Sequence, residues 1–121
     1  MDAALTSKPA LRAAISALFT APDAEFDAHF GALFAPDLDA VVNGEPFDFD
    51  HVKANLRNLR AGPKLEVDVL GLVRSGNEYA WRHTVAGDLP DGKKLFVEIF
   101  VMGELDAEGR VVKQREGVRF A

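Results

Sequence analysis

Apolar residues near the start of the chain recur at the spacing of one helical face. The run predicts a first helix over residues 8–20, with Ser7 available as the N-cap and Pro9 tolerated in the first turn. A stripe of four residues would face the core of the protein: Leu11, Ile15, Leu18 and Phe19.

The same spacing returns after the segment "APD" at 21–23, where Asp23 is available as a cap. It predicts a second helix that a second "APD", at 35–37, ends, and a short strand over 38–42 follows. The apolar positions of this second helix are Phe26, Phe30, Leu33 and Phe34.

A third helix is predicted behind Asp50, with the preceding "FDFD" at 47–50 interpreted as a loop that ends in this cap. Gly62 and Pro63 close it in the order that is usual after a helix. Its apolar positions are Val52, Leu56 and Leu59.

From Lys64 onward the hydrophobic period changes to two, which is typical of strands. Four segments, "KLEVDVLGLVR", "EYAWRHTVAG", "KKLFVEIFVMGEL" and "RVVKQREGVRF", are separated by the turn-rich "SGN", "DLPDG" and "DAEG". Each has an interior glycine, at 71, 87, 103 and 117, which indicates bulges or bends. We therefore expect one α+β domain over residues 1–121, with three helices packed in a strongly curved antiparallel meander.

Composition narrows the classes of function. The chain has 121 residues, 48% of them hydrophobic, and a net charge of −5 with scattered basic residues, which disfavours nucleic acid as a partner. It has no cysteine, which excludes disulfides and thiolate sites. Without a secretory or membrane-spanning pattern, the prediction is a cytoplasmic protein without membrane contact.

Alternation along the second predicted strand separates its two faces. One face carries Ala80, Arg82, Thr84 and Ala86, and because it is small and polar at its centre, we expect it to line a cavity. The opposite face is aromatic. The third strand has no solvent-exposed pattern on either side, so a partner should cover one face of the sheet. The prediction is a homodimer joined through Tyr79, Trp81, Phe96 and Phe100.

The charged residues have both structural and functional interpretations. Arg82 either pairs with Glu98 or Glu116 as a structural bridge or belongs to a pocket. We expect Arg82, Glu116 and Asn43 to line one cavity, with Arg82 and Glu116 close enough to hydrogen bond directly or through a water. Glu116 shares its face with Gln114, and His83 is interpreted as a packed or interface residue. The chain contains no phosphate loop, metal motif or nucleophile elbow, so we expect neither a cofactor nor a metal.

The order of these elements, with "FAPDLDAVV" before the third helix and "GRVVKQRE" in the last strand, resembles the nuclear transport factor 2-like superfamily over nearly the whole chain. This resemblance implies a cone-shaped α+β barrel with a pocket between helices and sheet. Relatives include ketosteroid isomerases, SnoaL-like polyketide cyclases, limonene-type epoxide hydrolases and non-catalytic association domains.

The resemblance also implies site residues. The pocket arginine of the limonene-type hydrolases aligns with Arg82, their asparagine with Asn43 and their water-activating carboxylate with Glu116, whereas Thr84 and Val41 replace an aspartate and a tyrosine. The ketosteroid isomerase tyrosine would align near Ile15 and its aspartate near Val42 or Asn43. The last strand has no aspartate at the place of the SnoaL-like acid/base aspartate, and Glu116 is the acidic residue nearby.

Two functions follow as alternatives. One is a cofactor-free isomerase, cyclase or hydrolase that acts on a small apolar molecule by acid/base chemistry. Glu116 and Arg82 would be its catalytic residues, and Asn43, Thr84 and Gln114 would bind the ligand. The other is a non-catalytic dimeric module that binds a ligand or associates with protein.

Overall fold

A computed structural model of the chain describes residues 3–89 and 91–120. Position 90, inside the predicted turn at 88–92, lies outside the described residues, as do the chain ends at 1, 2 and 121. Three helices, α1 (Lys8–Thr20), α2 (Phe26–Leu33) and α3 (Phe49–Arg60), pack against one sheet. Its six strands are β1 (Phe34–Val42), β2 (Glu45–Phe47), β3 (Leu65–Ser75), β4 (Glu78–Asp88), β5 (Lys94–Leu105) and β6 (Val111–Phe120).

Helix α1 has the bounds predicted from its apolar stripe. The Ser7 side chain accepts a hydrogen bond from the backbone N–H of Ala10 at 3.1 Å, so the predicted N-cap is confirmed. Leu11, Ile15 and Leu18 are buried on the side that faces the sheet.

Helices α2 and α3 begin differently from the prediction. Asp23 opens a short 3₁₀ turn ahead of α2, and its carboxylate accepts from Arg60 Nε at 3.3 Å instead of capping the helix. Asp48, two residues before the predicted cap Asp50, caps α3 by accepting from the backbone N–H of His51 at 2.9 Å. Asp50 therefore lies in the first turn of α3, where its charge still suits the helix dipole.

Arg60, at the end of α3, ties that helix to α1. Its guanidinium donates to the backbone carbonyl of Leu18 at 2.7 Å and to that of Ala21, and it lies over the Phe26 ring. These contacts satisfy one carbonyl of the last turn of α1, that of Leu18, and the carbonyl of the C-cap residue Ala21.

The strands form a single sheet in the order β2-β1-β6-β5-β4-β3. The meander from β3 to β6 is antiparallel as predicted, and β1 joins it through a parallel pairing with β6. Strand β1 starts at Phe34, four residues earlier than expected. Strand β2 was not predicted: it returns from β1 through Asn43 and Gly44, both with positive φ, as in a tight hairpin turn.

The sheet curves around the helices without closing, since β2 and β3 remain at its two edges. The register shifts between Val69 and Gly71, so this glycine marks a bulge as predicted. A second shift lies between Glu104 and Leu105, next to Gly103. The result is the α+β fold that the sequence predicted. Among the described residues, no helix is long and apolar enough to cross a membrane.

Candidate functional site

The concave side of the sheet, which faces the helices, is called here the inner face. Its side chains are ordered in rows across β4, β5 and β6 because each residue pairs directly with its neighbours. One row is Trp81, Val101 and Glu116, and the next is His83, Ile99 and Val118.

A cavity of about 340 Å³ lies between this inner face and the helices. Its walls are mostly apolar, and its polar members are Asn55 of α3, His83, Gln114 and Glu116, with the Trp81 indole beside them. A volume in this range suits a small molecule. Apolar side chains from the helices and the sheet complete the wall, among them Ile15, Phe19, Leu33, Val52, Leu56, Val85, Val97 and Ile99.

Glu116 is the carboxyl group of this cavity. Its Oε1 accepts a hydrogen bond from Gln114 Nε2 at 2.7 Å, and both side chains come from the inner face of β6. Burial raises the pKa of Glu116 to about 7, although the Gln114 hydrogen bond opposes that rise. The carboxyl therefore exchanges a proton near neutral pH.

Gln114 has one further polar atom to satisfy. The residue is only 4% exposed, and its Oε1 is buried without a hydrogen-bond partner among the described residues. A buried carbonyl oxygen in that condition favours a hydrogen-bond donor. A ligand hydroxyl or amine in the cavity is one group that would supply it.

Trp81 and His83 form the second polar pair of the inner face. The indole Nε1–H donates to His83 Nδ1 at 2.9 Å, and both residues are buried. Burial lowers the pKa of His83 to about 4, so the imidazole is neutral at physiological pH. His83 is thus the packed residue that the sequence analysis expected, but it also lines the cavity.

The cavity holds little else that is ionisable. The described residues that line it include no lysine or arginine. Nowhere in the described part of the chain do three or more potential metal ligands cluster.

Tyr79 is buried near Glu116 and donates to the backbone carbonyl of Lys113 at 2.9 Å. Burial, with a smaller contribution from the Glu116 charge, raises the pKa of Tyr79 above its usual range, so its phenol stays protonated.

Arg82 lies on the opposite, outer face of the sheet, and the predicted hydrogen bond between Arg82 and Glu116 is wrong. The side chain of Arg82 is 49% exposed, and its Nη1 lies 3.7 Å from Glu98 Oε2. Arg119 approaches the same carboxylate, 3.8 Å from Glu98 Oε1. Of the structural partners considered for Arg82, the structure therefore brings it to Glu98.

Thr84 and Asn43 do not reach the cavity either. Thr84 sits on the outer face, paired across the strands with Glu98. Asn43 lies in the turn after β1, and its Oδ1 accepts from the backbone N–H of Val118 at 3.0 Å. Its own N–H donates to the Glu116 carbonyl at 2.9 Å, so Asn43 fixes the backbone of β6 beside Glu116. Of the five predicted site residues, Glu116 and Gln114 line the cavity.

The predicted grouping of aromatic residues is also corrected. Tyr79 and Trp81 are buried on the inner face, whereas Phe96 and Phe100 are exposed on the outer face with Met102. The register explains this, because it pairs Phe100 with Arg82 and Val101 with Trp81. Alternation identifies which residues of one strand share a face, but the facing residues of the next strand depend on the register.

Comparisons with known proteins identify the fold. No protein-family model matches the chain, and no curated protein sequence matches it. Among solved structures, it is similar to a protein of unknown function from Exiguobacterium sp. 255-15 described as nuclear transport factor 2-like, at 22% identity and a TM-score of 0.72, covering 89% of this chain and 93% of that one.

Two further similar structures are described by the chemistry proposed for them. IdmH, a proposed polyketide cyclase from Streptomyces antibioticus, matches at 18% identity and a TM-score of 0.70, covering 88% of this chain and 89% of that one. A proposed SnoaL-like isomerase from Agrobacterium tumefaciens matches at 15% identity and a TM-score of 0.65, covering 93% and 97%. Together these likenesses show that the chain has the nuclear transport factor 2-like fold.

Proposed function

We propose that this protein catalyses an isomerisation, cyclisation or hydrolysis of a small, largely apolar molecule by acid/base chemistry in the inner cavity, with Glu116 as the group that transfers the proton. The observation that carries this proposal is the buried carboxyl of Glu116, whose pKa is about 7, at the wall of a cavity of about 340 Å³. A general base is most effective when its pKa lies near the working pH.

The step itself is a proton transfer between the substrate and Glu116. The carboxylate takes a proton from an activated C–H group or from a bound water, and the bond's electron pair stays on the substrate carbon or the water oxygen. Gln114 Nε2, which donates to Oε1 of Glu116, orients the carboxyl toward the cavity. Returning the proton to another carbon completes an isomerisation without any other reactant.

Solved structures with this fold include proteins named for two of the proposed reaction classes. They include a proposed polyketide cyclase and a proposed isomerase, although at 18% and 15% identity the likeness extends to the fold alone. Arg82 has no part in the proposed step, because its side chain lies on the outer face with Glu98.

A simple ketone provides the test. The C1 hydrogens of 2-tetralone, a neutral bicyclic ketone, exchange with deuterium when a base removes one of them, and proton NMR follows this exchange in D₂O. The protein should accelerate the exchange, and the rate should rise with pH through about 7 as Glu116 ionises. Glu116→Gln should abolish the acceleration, whereas Glu98→Gln, the matched change on the outer face, should leave it intact.

Binding has its own readout, because the single tryptophan of the chain lines the cavity. Quenching of Trp81 fluorescence by 2-tetralone therefore reports occupancy of the cavity whether or not chemistry follows. Acceleration that survives in Glu116→Gln would show that Glu116 is not the base.

The alternative is ligand binding without catalysis. Glu116 is the one carboxyl group among the described residues of the cavity wall. A hydrolase-type step that needs a second acid therefore has no residue to supply it among them, which supports this alternative. Fluorescence quenching without any acceleration of exchange across a panel of acidic ketones would favour this function.

A further inference from the structure

The hydrogen bond between Trp81 and His83 determines which nitrogen of the histidine carries its proton. An indole N–H can only donate, so His83 Nδ1, which lies 2.9 Å away, must be the acceptor and carry no proton. A neutral imidazole then carries its single proton on Nε2. Trp81 therefore selects the tautomer of His83.

The Nε2–H of His83 is a donor without a partner among the residues that the structure describes. His83 makes its one side-chain hydrogen bond among the described residues through Nδ1, and it lines the cavity. The residue as a whole is 7% exposed, and Nε2 is not among the fully buried atoms without a partner, so it is accessible to a molecule in the cavity. A donor of this kind favours an acceptor atom on a ligand.

The charge of the cavity restricts what that ligand can be. Among the described residues of the wall there is no lysine or arginine to balance an anion, and Glu116 contributes negative charge when it ionises. A buried carboxylate or phosphate on the ligand would therefore lack a counter-charge. A neutral carbonyl oxygen is an acceptor that needs none.

We propose, on the basis of the function proposed above, that His83 donates a hydrogen bond from Nε2 to a carbonyl oxygen of a neutral substrate, and that Trp81 is the positioning residue that holds His83 in the required tautomer. The substrate class is then neutral carbonyl compounds such as ketones, rather than carboxylates or phosphate esters. When Glu116 removes a proton from the carbon next to the carbonyl, the electron pair moves onto the oxygen, and His83 stabilises the developing negative charge.

The positions of the two residues suit such a substrate. His83 and Glu116 lie in adjacent rows of the inner face and two strands apart, which places their Cα atoms about 12 Å from each other. Both side chains project into the cavity, so a small ketone can reach His83 with its oxygen and Glu116 with a neighbouring carbon. A hydroxyl elsewhere on the substrate would find the free Oε1 of Gln114.

The first experiment compares 2-tetralone with tetralin, the hydrocarbon of nearly the same shape without the oxygen. Trp81 fluorescence should show that the wild type binds the ketone roughly tenfold more tightly, the magnitude expected of one buried hydrogen bond. In His83→Asn the side-chain oxygen can still accept from Trp81, but no donor remains at the Nε2 position. That variant should bind both compounds alike, with its affinity for tetralin unchanged.

His83→Gln serves as the conservative variant, since its amide N–H can approach the position of Nε2 and restore part of the preference for the ketone. The anion of tetralin-2-carboxylic acid should bind the wild type more weakly than 2-tetralone does. An unchanged ketone preference in His83→Asn, or tighter binding of the anion, would overturn the proposal.

The second experiment reads the tautomer directly. Nitrogen-15 NMR of the histidine side chains, assigned with His83→Asn, should show Nε2 protonated and Nδ1 unprotonated at neutral pH. Trp81→Phe removes the indole donor, so both tautomers should then be populated and the ketone preference, followed by NMR titration, should fall. A purely structural role of Trp81 would change stability and leave the tautomer as it was.

The outcomes separate this inference from the function on which it rests. Exchange that depends on Glu116 but not on His83, or a wild-type His83 protonated on Nδ1, overturns the role of His83 and leaves the acid/base function standing. Failure of both 2-tetralone and tetralin to quench Trp81 overturns the small-molecule function, and the role of His83 with it.

Discussion

The two faces of the sheet carry similar residue types under opposite conditions. On the outer face, the Glu98 carboxylate lies between two arginines, Arg82 and Arg119, whose side chains are about half exposed or more. On the inner face, the one side-chain hydrogen-bond partner of Glu116 among the described residues is the Gln114 amide, and the neighbouring Trp81 indole donates to a neutral histidine, His83.

This difference decides which face can perform chemistry. An ion pair whose cations are exposed to water contributes little to stability. A carboxyl that is buried without a cation is less stable as an anion, and this raises its pKa toward neutrality. The polar groups that face the cavity are therefore the ones available for proton transfer and ligand recognition.

The largest expected effect concerns two glycines of the sheet, one on each face. A Cβ at Gly103, on the inner face, would lie 1.8 Å from the Lys113 carbonyl oxygen and 3.1 Å from the Tyr79 hydroxyl, whereas a Cβ at Gly117, on the outer face, would meet nothing within 4 Å. Because the obstacle at Gly103 is backbone, we expect Gly103→Ala to lower the free energy of unfolding by more than about 3 kcal/mol.

Urea denaturation of Gly103→Ala and of Gly117→Ala measures this contrast. Gly117→Ala should change the free energy of unfolding by less than about 1 kcal/mol, because the site is open. Equal losses in the two variants would mean that β5 and β6 do not approach as closely as the structure shows.

Removing the charge of Glu116 should stabilise the protein. Its folded pKa of about 7 lies above the ordinary value of 4.5, so the folded state holds the proton where the unfolded state has lost it. The contribution of Glu116 to the free energy of unfolding is therefore fully present below pH 4.5 and is lost as the pH rises through about 7. At pH 8 the loss is about 3 kcal/mol, at about 1.4 kcal/mol per pKa unit.

Glu116→Gln should recover most of that free energy at pH 8 and little of it at pH 4.5, as measured by urea denaturation across pH. The matched variant Glu98→Gln, on the outer face, should shift stability by no more than about 1 kcal/mol. A Glu116→Gln variant less stable than the wild type at pH 8 would mean that the carboxylate has a compensating partner.

His83 should have the opposite pH dependence. Its folded pKa of about 4 lies below the ordinary 6.5, so its contribution to stability is present above pH 6.5 and is lost as pH falls toward 4. Between pH 4.5 and 6.5 the Glu116 and His83 effects oppose each other in the wild type. In His83→Asn only the Glu116 effect remains, so the free energy of unfolding should fall as the pH rises from 4.5 to 6.5. In Glu116→Gln only the His83 effect remains, so it should rise over the same range.

The sequence predicts those features of the fold that depend on residues close together in the chain better than those that depend on distant residues. The helix α1, the four strands of the meander and the bulge at Gly71 follow from local periodicity and turn residues, and the sequence predicted them. The cap of α3 was misplaced by two residues because Asp48 and Asp50 alternate in "FDFD" and either could cap. The short strand β2 was missed because three residues carry no period.

The site was predicted only in part for a different reason. Glu116 and Gln114 were grouped correctly, since they alternate on one strand. Arg82 and Thr84 were assigned to the cavity because their face is small and polar, yet the larger residues Trp81 and His83 line it. The face of β4 that packs against the helices decided the matter, and alternation along one strand does not specify it. The adjacency of Trp81 and His83 at i and i+2 was the one available signal for their hydrogen bond.

The outer face should join two copies of the chain. We propose the homodimer that the sequence predicted, through Phe96, Phe100 and Met102 rather than through Tyr79 and Trp81, which are buried inside. Phe100 and Met102 are 43% and 59% exposed, and a patch of this kind is unfavourable in water. The central position of Phe100, opposite Arg82, makes it the residue to test.

Phe100→Glu should convert the dimer to a monomer, as measured by light scattering at micromolar concentration. Leu59→Glu, which adds the same charge on the exposed part of α3, should leave the dimer intact. A monomeric wild type would refute the dimer, and a dimeric Phe100→Glu would place the interface elsewhere.

The smallest expected effect concerns Arg82, which the sequence predicted to lie within hydrogen-bond reach of Glu116. Its side chain is 49% exposed and its nearest contact with Glu98 is 3.7 Å, so Arg82→Met should cost at most about 1 kcal/mol. The measurement is best made at a protein concentration at which light scattering shows a monomer, because a partner subunit could bury the side chain and Phe100→Glu would place a new carboxylate opposite Arg82. At that concentration, the urea-unfolding free energy and the Glu116-dependent exchange of 2-tetralone should both stay close to their values without the Arg82 change. A loss of about 3 kcal/mol or more would indicate a buried ion pair of the kind first predicted with Glu116, and the assignment of Arg82 to the outer face would then be wrong.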